Sequence, residues 1–110
     1  MPGSKPFGRG GPLVSRIGQG TWPVPDRAAL RHGIERGLTH IDTAEMYGAG
    51  RAEEIVATAI RGFEREKLFI VSKVLPQNAS ARGVAKACER SLARLGTDYL
   101  DCYLLHWRGA

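Results

Sequence analysis

A carboxylate and a phenol, Asp42 and Tyr47, stand five positions apart in Thr39-His40-Ile41-Asp42-Thr43-Ala44-Glu45-Met46-Tyr47-Gly48. The stretch reads as a short strand ending in the carboxylate, then a loop that carries the phenol and leads through Gly48-Ala49-Gly50 into a helix. Two later apolar runs also end in chemistry-bearing residues. Leu68-Phe69-Ile70-Val71-Ser72 runs into Lys73, and Tyr99-Leu100-Asp101-Cys102-Tyr103-Leu104-Leu105 runs into His106. An ammonium near a phenol favours phenolate and lowers a pKa that is ordinarily about 10. A carboxylate beside the lysine would hold the ammonium charged and oriented. The tyrosine could then donate a proton near neutral pH, with the histidine orienting or polarising a carbonyl oxygen. Such a set suits protonation of the oxyanion formed when hydride reduces a carbonyl. Side chains cannot supply hydride, so a nicotinamide cofactor would have to.

Each residue also has a plainer reading on its own. Asp42 could cap a turn, Lys73 could be a solvated strand end, His106 a satisfied core histidine and Tyr47 a loop aromatic. Their joint placement at corresponding strand ends favours the chemical reading over these.

The elements that would position them follow from periodicity. Residues 1 to 11, with four glycines and two prolines, predict a loose or hairpin-like lead-in. Pro12 to Gly18 predicts a short strand pair with Ile17 in the core, and Gly18-Gln19-Gly20-Thr21-Trp22 a close backbone approach at the strand exit. A helix should open near Pro25 or Asp26 and close at Gly37, burying Ala29 or Leu30, Ile34 and Leu38. A second carries the stripe Ala52, Ile55, Val56, Ala59, Ile60 and Phe63, with Glu53, Glu54, Arg61, Glu64 and Arg65 facing out. The strand Leu68 to Lys73 follows. A third helix, opening near Asn78 or Ser80, buries Val84, Cys88, Leu92 and Leu95 and ends at Gly96, ahead of a last strand from Tyr99 to His106. The alternation of strand and helix requires a parallel sheet with right-handed crossovers, and ligands gather at the carboxyl ends of such strands.

Bulk properties narrow the classes. In 110 residues, 43% hydrophobic and 25% charged, there is room for one globular domain. The net charge of +5 is scattered over helix faces without a run of like charges, which argues against a nucleic-acid surface. Cys88 and Cys102 lack the spacing of a metal or redox motif and read as reduced core thiols; no metal is expected. Without a signal-like start or an apolar run long enough to span a bilayer, the expectation is a cytoplasmic protein with no membrane partner. Asn78-Ala79-Ser80 matches a glycosylation acceptor but reads as a helix start. A Rossmann unit is disfavoured, because Gly48-x-Gly50 is followed by Glu53 at the third glycine position and Gly18-x-Gly20 by Pro23.

The segments 18 to 22, 40 to 48, Val71-Ser72-Lys73-Val74 and Thr97 to Trp107 together resemble the aldo-keto reductases, with a likeness covering nearly everything from residue 13 onward. The wording around Glu45-Met46 and Leu105-His106-Trp107 is similar to that of bacterial members reducing methylglyoxal and related aldehydes. The resemblance implies Tyr47 as general acid, Asp42 and Lys73 tuning it, and His106 orienting the substrate carbonyl. It implies Trp22, Tyr47, His106 and Trp107 around the substrate, and Gly20, Thr21 and Asp42 near the nicotinamide ribose of NADPH, or of NADH. A packing role for Trp22 and Trp107 stays open beside the pocket role.

The family fold it implies is an eight-stranded (β/α)8 barrel of typically about 250 residues. Residues 12 to 110 would then form its N-terminal half, about four parallel strands and three helices after a short hairpin. The later loops that hold the rest of NADPH would lie outside it. Strand edges and barrel-interior side chains would be left open. The expectation is a reductase domain interrupted after its fourth strand, completed by a C-terminal half or by self-association. The competing expectation is an inactive oligomerising or binding module.

Overall fold

The computed structural model describes residues 3–110. The part of the expected lead-in formed by residues 1 and 2 lies outside them. Strands β1 (Ser4–Pro6) and β2 (Leu13–Ser15) form an antiparallel hairpin. Its turn is closed by the Phe7 N–H donating to the Pro12 carbonyl, with Gly8 and Gly10 at positive φ. Then come β3 (Gly18–Gly20), α1 (Arg27–Glu35), β4 (His40–Asp42), α2 (Arg51–Ala59), β5 (Phe69–Val74), α3 (Ala81–Leu95) and β6 (Cys102–Leu105). The order in space is β3-β4-β5-β6, all parallel, so each strand lies beside its predecessor.

Helix ends follow their residue chemistry. The Asp26 carboxylate accepts the Ala29 N–H and the Ser80 hydroxyl accepts the Gly83 N–H, satisfying amides that the first turn leaves unpaired. At the end of α1 the Gly37 N–H donates to the Ile34 carbonyl and the Leu38 N–H to the Gly33 carbonyl, with Gly37 left-handed at φ 95°. Asp26→Ala should cost about 1 kcal/mol, read as a lower urea midpoint with an unchanged slope; an unchanged midpoint would remove the cap from the account.

The two faces of the sheet are covered differently. Leu30 and Ile34 of α1, Val56 and Ala59 of α2 and Leu95 of α3 all pack with Ile41, Leu68 and Ile70 in one cluster. The other face has a smaller cluster, in which Val14 of the hairpin meets Phe69, Val71 and the half-buried Cys102. Phe7 and His40 add their rings to Phe69, at 4.7 and 5.2 Å between centroids. A doubly wound sheet would carry helices on both faces and reverse its strand order. Sequential strands with every helix on one side form the wall of a barrel, and the hairpin closes its lower, N-terminal end.

Several expectations are corrected. The pair predicted within residues 12 to 18 is instead two strands with different partners, and Gly18–Gly20 is itself a barrel strand. Ile17, expected in the core, is 61% exposed, because it lies in the link between the hairpin and β3. The last strand starts at Cys102 rather than Tyr99: the Asp101 carboxylate accepts the Ile70 N–H that an earlier pairing would use, and Arg65 grips that carboxylate at 2.9 Å. Arg65, expected in solvent, is thus drawn to the sheet. On α3 the fully enclosed residues are Ala87, Ser91 and Leu95, while Val84, Cys88 and Leu92 are half-buried. Small side chains let this helix approach closely, which rotates the buried stripe by one position. Both thiols are free and only half-buried.

The largest departure is Glu53. It is fully buried, its Oε2 accepting the Ser72 hydroxyl at 2.7 Å and its Oε1 meeting Arg94 at 2.7 Å. A carboxylate is tolerated there because both partners are in place.

Candidate active site

Asp42 ends β4, Lys73 is the penultimate residue of β5 and His106 immediately follows β6. Parallel register brings these ends to one rim of the sheet: Asp42 pairs with Val71 and Lys73 with Leu104. Side chains alternate along a strand, so His40 and Asp42, and Phe69, Val71 and Lys73, share the concave face away from the helices. The Lys73 ammonium donates to Asp42 Oδ1 at 3.0 Å and Oδ2 at 2.9 Å, and to the Thr43 carbonyl at 2.8 Å. It reaches the Tyr47 hydroxyl at 3.4 Å, the long end of hydrogen bonding. Contacts of this kind commonly tighten only when substrate binds.

Tyr47 returns over the strand ends because the chain after it turns left-handed three times. Gly48, Ala49 and Gly50 have φ of 58°, 53° and 95° before α2 begins. Only the glycines adopt this freely, and a side chain at Gly48 would press on Val24 and Arg51. The Tyr47 ring meets the His106 ring edge to face, with centroids 5.5 Å apart, and Trp107 lies 4.9 Å beyond His106. The structure therefore brings Asp42, Tyr47, Lys73 and His106 together, with Trp107 beside them and 47% exposed.

The remaining sequence-predicted residues are placed less uniformly. Gly20 is exposed beside Asp42, with which it pairs across the sheet, and open space lies where a side chain would project. Thr21 is buried, and its hydroxyl donates to the Asp42 carbonyl at 2.9 Å. Its side chain thereby braces the backbone of Asp42. Trp22 is 70% exposed, and no aromatic pair involves it among the described residues.

Two supports went unread in the sequence. Glu45, almost fully buried, accepts the Leu75 N–H at 2.6 Å and the Asn78 amide at 3.1 Å, which ties the Tyr47 loop to the loop after β5. Gln19 donates from Nε2 to the carbonyls of Leu30 and Leu38, and Gly33 is the residue that makes room for it. Polar residues within the strand and loop segments were the available signal.

Burial pushes the His106 imidazole below its ordinary value, and the positive charge of Lys73 acts in the same direction. His106 is therefore neutral at pH 7, and its buried Nδ1 has no partner among the described residues. Since the folded ring binds a proton less readily than the unfolded one, its contribution to stability is complete above about pH 6.5. It is lost as pH falls through that value to the folded-state pKa, below which the loss levels off. The NMR titration of its ring proton should have a midpoint below that of a free imidazole; a midpoint at or above about 6.5 would contradict this environment.

A family profile described as the aldo/keto reductase family matches residues 16–109. The chain belongs to that family. Among curated relatives, the methylglyoxal reductase YeaE of Escherichia coli is 56% identical over 102 residues, a match covering 86% of this chain and 36% of that protein. Mouse aldo-keto reductase family 1 member A1 is 36% identical over 104 residues, 88% of this chain and 32% of the relative. This aldo/keto reductase chain thus spans about a third of the length of such relatives. Among solved structures, a thermostable aldo-keto reductase in complex with epalrestat superposes with a TM-score of 0.89 at 43% identity, over 94% of this chain and 42% of that one. An aldo-keto reductase from Klebsiella pneumoniae in complex with NADPH gives 0.78 at 53% identity, over 89% and 37%. The four-stranded wall with its hairpin is accordingly part of a (β/α)8 barrel.

Proposed function

We propose that this aldo/keto reductase chain carries the catalytic half of an NADPH-dependent reduction of small aldehydes and ketones to alcohols, with Tyr47 as proton donor. The observation that supports this reading most is Lys73 held between the Asp42 carboxylate and the Tyr47 hydroxyl on the open rim. The fixed ammonium favours negative charge on the phenol oxygen and so lowers the work of giving up its proton. His106, neutral and edge-on to Tyr47, is placed to donate a hydrogen bond to the carbonyl oxygen that receives that proton. A bound nicotinamide supplies hydride to the carbonyl carbon. The open surface at Gly20, beside Asp42, fits the flat nicotinamide end, and Trp22 and Trp107 offer apolar rings to the substrate. NADH is the alternative donor. The identity to a methylglyoxal reductase favours small 2-oxoaldehydes as substrates.

Completion of the barrel belongs to the same proposal. The free edge of β6 and the exposed Leu104 and Leu105 favour a covering partner, either a C-terminal half or a second copy. If the chain acted only as a binding module, association would occur without turnover. The deciding assay is NADPH oxidation with methylglyoxal and with an aromatic aldehyde, with solution mass measured in parallel. It is run on the chain alone and on the chain mixed with the C-terminal part of the E. coli relative. Turnover in either preparation is expected; folded, associated protein silent in both would favour the binding module.

A further inference from the structure

We propose that Glu53, Arg94 and Ser72 form a positioning device that sets Tyr47 against Lys73 from behind the sheet. The catalytic rim does not contain them. Ser72 precedes Lys73 in β5, and because side chains alternate, its hydroxyl points to the helices while the Lys73 ammonium points to the rim. The Ser72 hydroxyl donates at 2.7 Å to Glu53 Oε2, and both residues are fully buried. Glu53 lies in the first turn of α2, the helix entered from the left-handed turn that carries Tyr47. Its other oxygen accepts from Arg94 of α3 at 2.7 Å, and Arg94 also donates to Ser91. The aliphatic part of Arg94 lies against Gly50, where an added Cβ would stand 2.9 Å from Cδ. One ionic cluster therefore touches the last residue of the Tyr47 turn, the first turn of the following helix and the strand residue next to Lys73.

Core stability alone is a poor explanation for this cluster. Buried ion pairs are often matched or exceeded by apolar side chains of similar volume. What the pair adds is direction: a carboxylate with two fixed partners allows one seating of α2 on β5, where an apolar contact allows neighbouring ones. Tyr47 needs that definition, since it meets Lys73 at 3.4 Å and a misplacement of about 1 Å can cost on the order of 100-fold in rate.

The consequence for turnover rests on the function proposed above, but the positioning is measured without it. In the 110-residue chain, nuclear Overhauser contacts between the Tyr47 and His106 rings report the rim, and contacts between the methyls of Ile41 and Ile70 report the core. Ser72→Ala and Glu53→Gln are expected to keep the core contact and lose the ring contact. Glu54→Gln, on the exposed face of the same helix, is expected to keep both. The double replacement Glu53→Met with Arg94→Met removes the pair but fills its space. It is expected to fold and still lack the ring contact; a retained contact there would show that the cluster only packs. Full ring contacts in the folded single variants would likewise overturn the proposal. So would failure of all three variants to fold, which would make the cluster a folding requirement instead. In a preparation that turns over, Ser72→Ala should lower kcat and leave KM unchanged, whereas a purely structural loss would lower the amount of active protein and leave both constants as they were.

Discussion

Tyr47→Phe should lower NADPH-dependent carbonyl reduction by about 100- to 10,000-fold, the range expected when a positioned general acid is removed. The change deletes one oxygen. Lys73 keeps its two contacts to Asp42 and its contact to the Thr43 carbonyl, so the ammonium is not left unpaired in the variant. The ring can also keep its edge-to-face packing on His106, since the hydroxyl is not part of that contact. Cofactor affinity, read by quenching of protein fluorescence on titration with NADPH, should therefore change little. The measurement is kcat with methylglyoxal in whichever preparation turns over, the chain alone or the chain with a C-terminal part. A variant within threefold of the parent, a margin of about 0.7 kcal/mol, would remove Tyr47 as the acid. A loss confined to KM would instead make Tyr47 a binding residue.

How far this site could be read from the chain depends on what each residue's signal was. Asp42, Lys73 and His106 each end an apolar run, and strand ends at one rim follow from parallel topology alone. That is why their meeting was legible before any coordinates. Tyr47 was legible as a loop residue, but its return onto Lys73 depends on three successive left-handed residues, one of them Ala49, which no propensity would suggest. Thr21 could be placed near the rim but not oriented: alternation fixes the face of a strand residue, and Thr21 lies one residue past the end of β3.

The supporting residues were harder because their signal is polarity where periodicity predicts exposure. Glu53 sits next to Ala52 and three positions before Val56, at the margin of the apolar stripe. Its charge outweighed its position in the sequence reading. The residue that neutralises it, Arg94, is 41 positions away, and only tertiary packing could pair them. The rotation of α3 onto Ala87, Ser91 and Leu95 has the same origin, since hydrophobicity favours large residues whereas close helix approach selects small ones. The barrel wall itself needed no such detail: sequential strands with Gly-capped helices between them leave few topologies open.

Ile70→Ala should cost about 2–5 kcal/mol, a large part of the roughly 5–15 kcal/mol that holds a domain of this size together. Ile70, the second residue of β5, is fully enclosed and meets α1, α2 and α3 through one cluster, so its removal leaves a cavity that three helices cannot all collapse upon. Its N–H, held by Asp101, and its carbonyl, which accepts the Asp101 N–H, stay paired, so the loss is one of packing. The informative comparison is Leu104→Ala on β6. Leu104 is 46% exposed in the isolated chain, and its truncation should then cost less than about 1 kcal/mol. Urea midpoints for both variants, taken at several protein concentrations, separate the cases. A midpoint for Ile70→Ala equal to the parent's would deny the single-faced core on which the barrel-wall assignment rests. A large, concentration-dependent loss for Leu104→Ala would mean that the open face is covered in solution by a second copy, because only association makes stability depend on protein concentration.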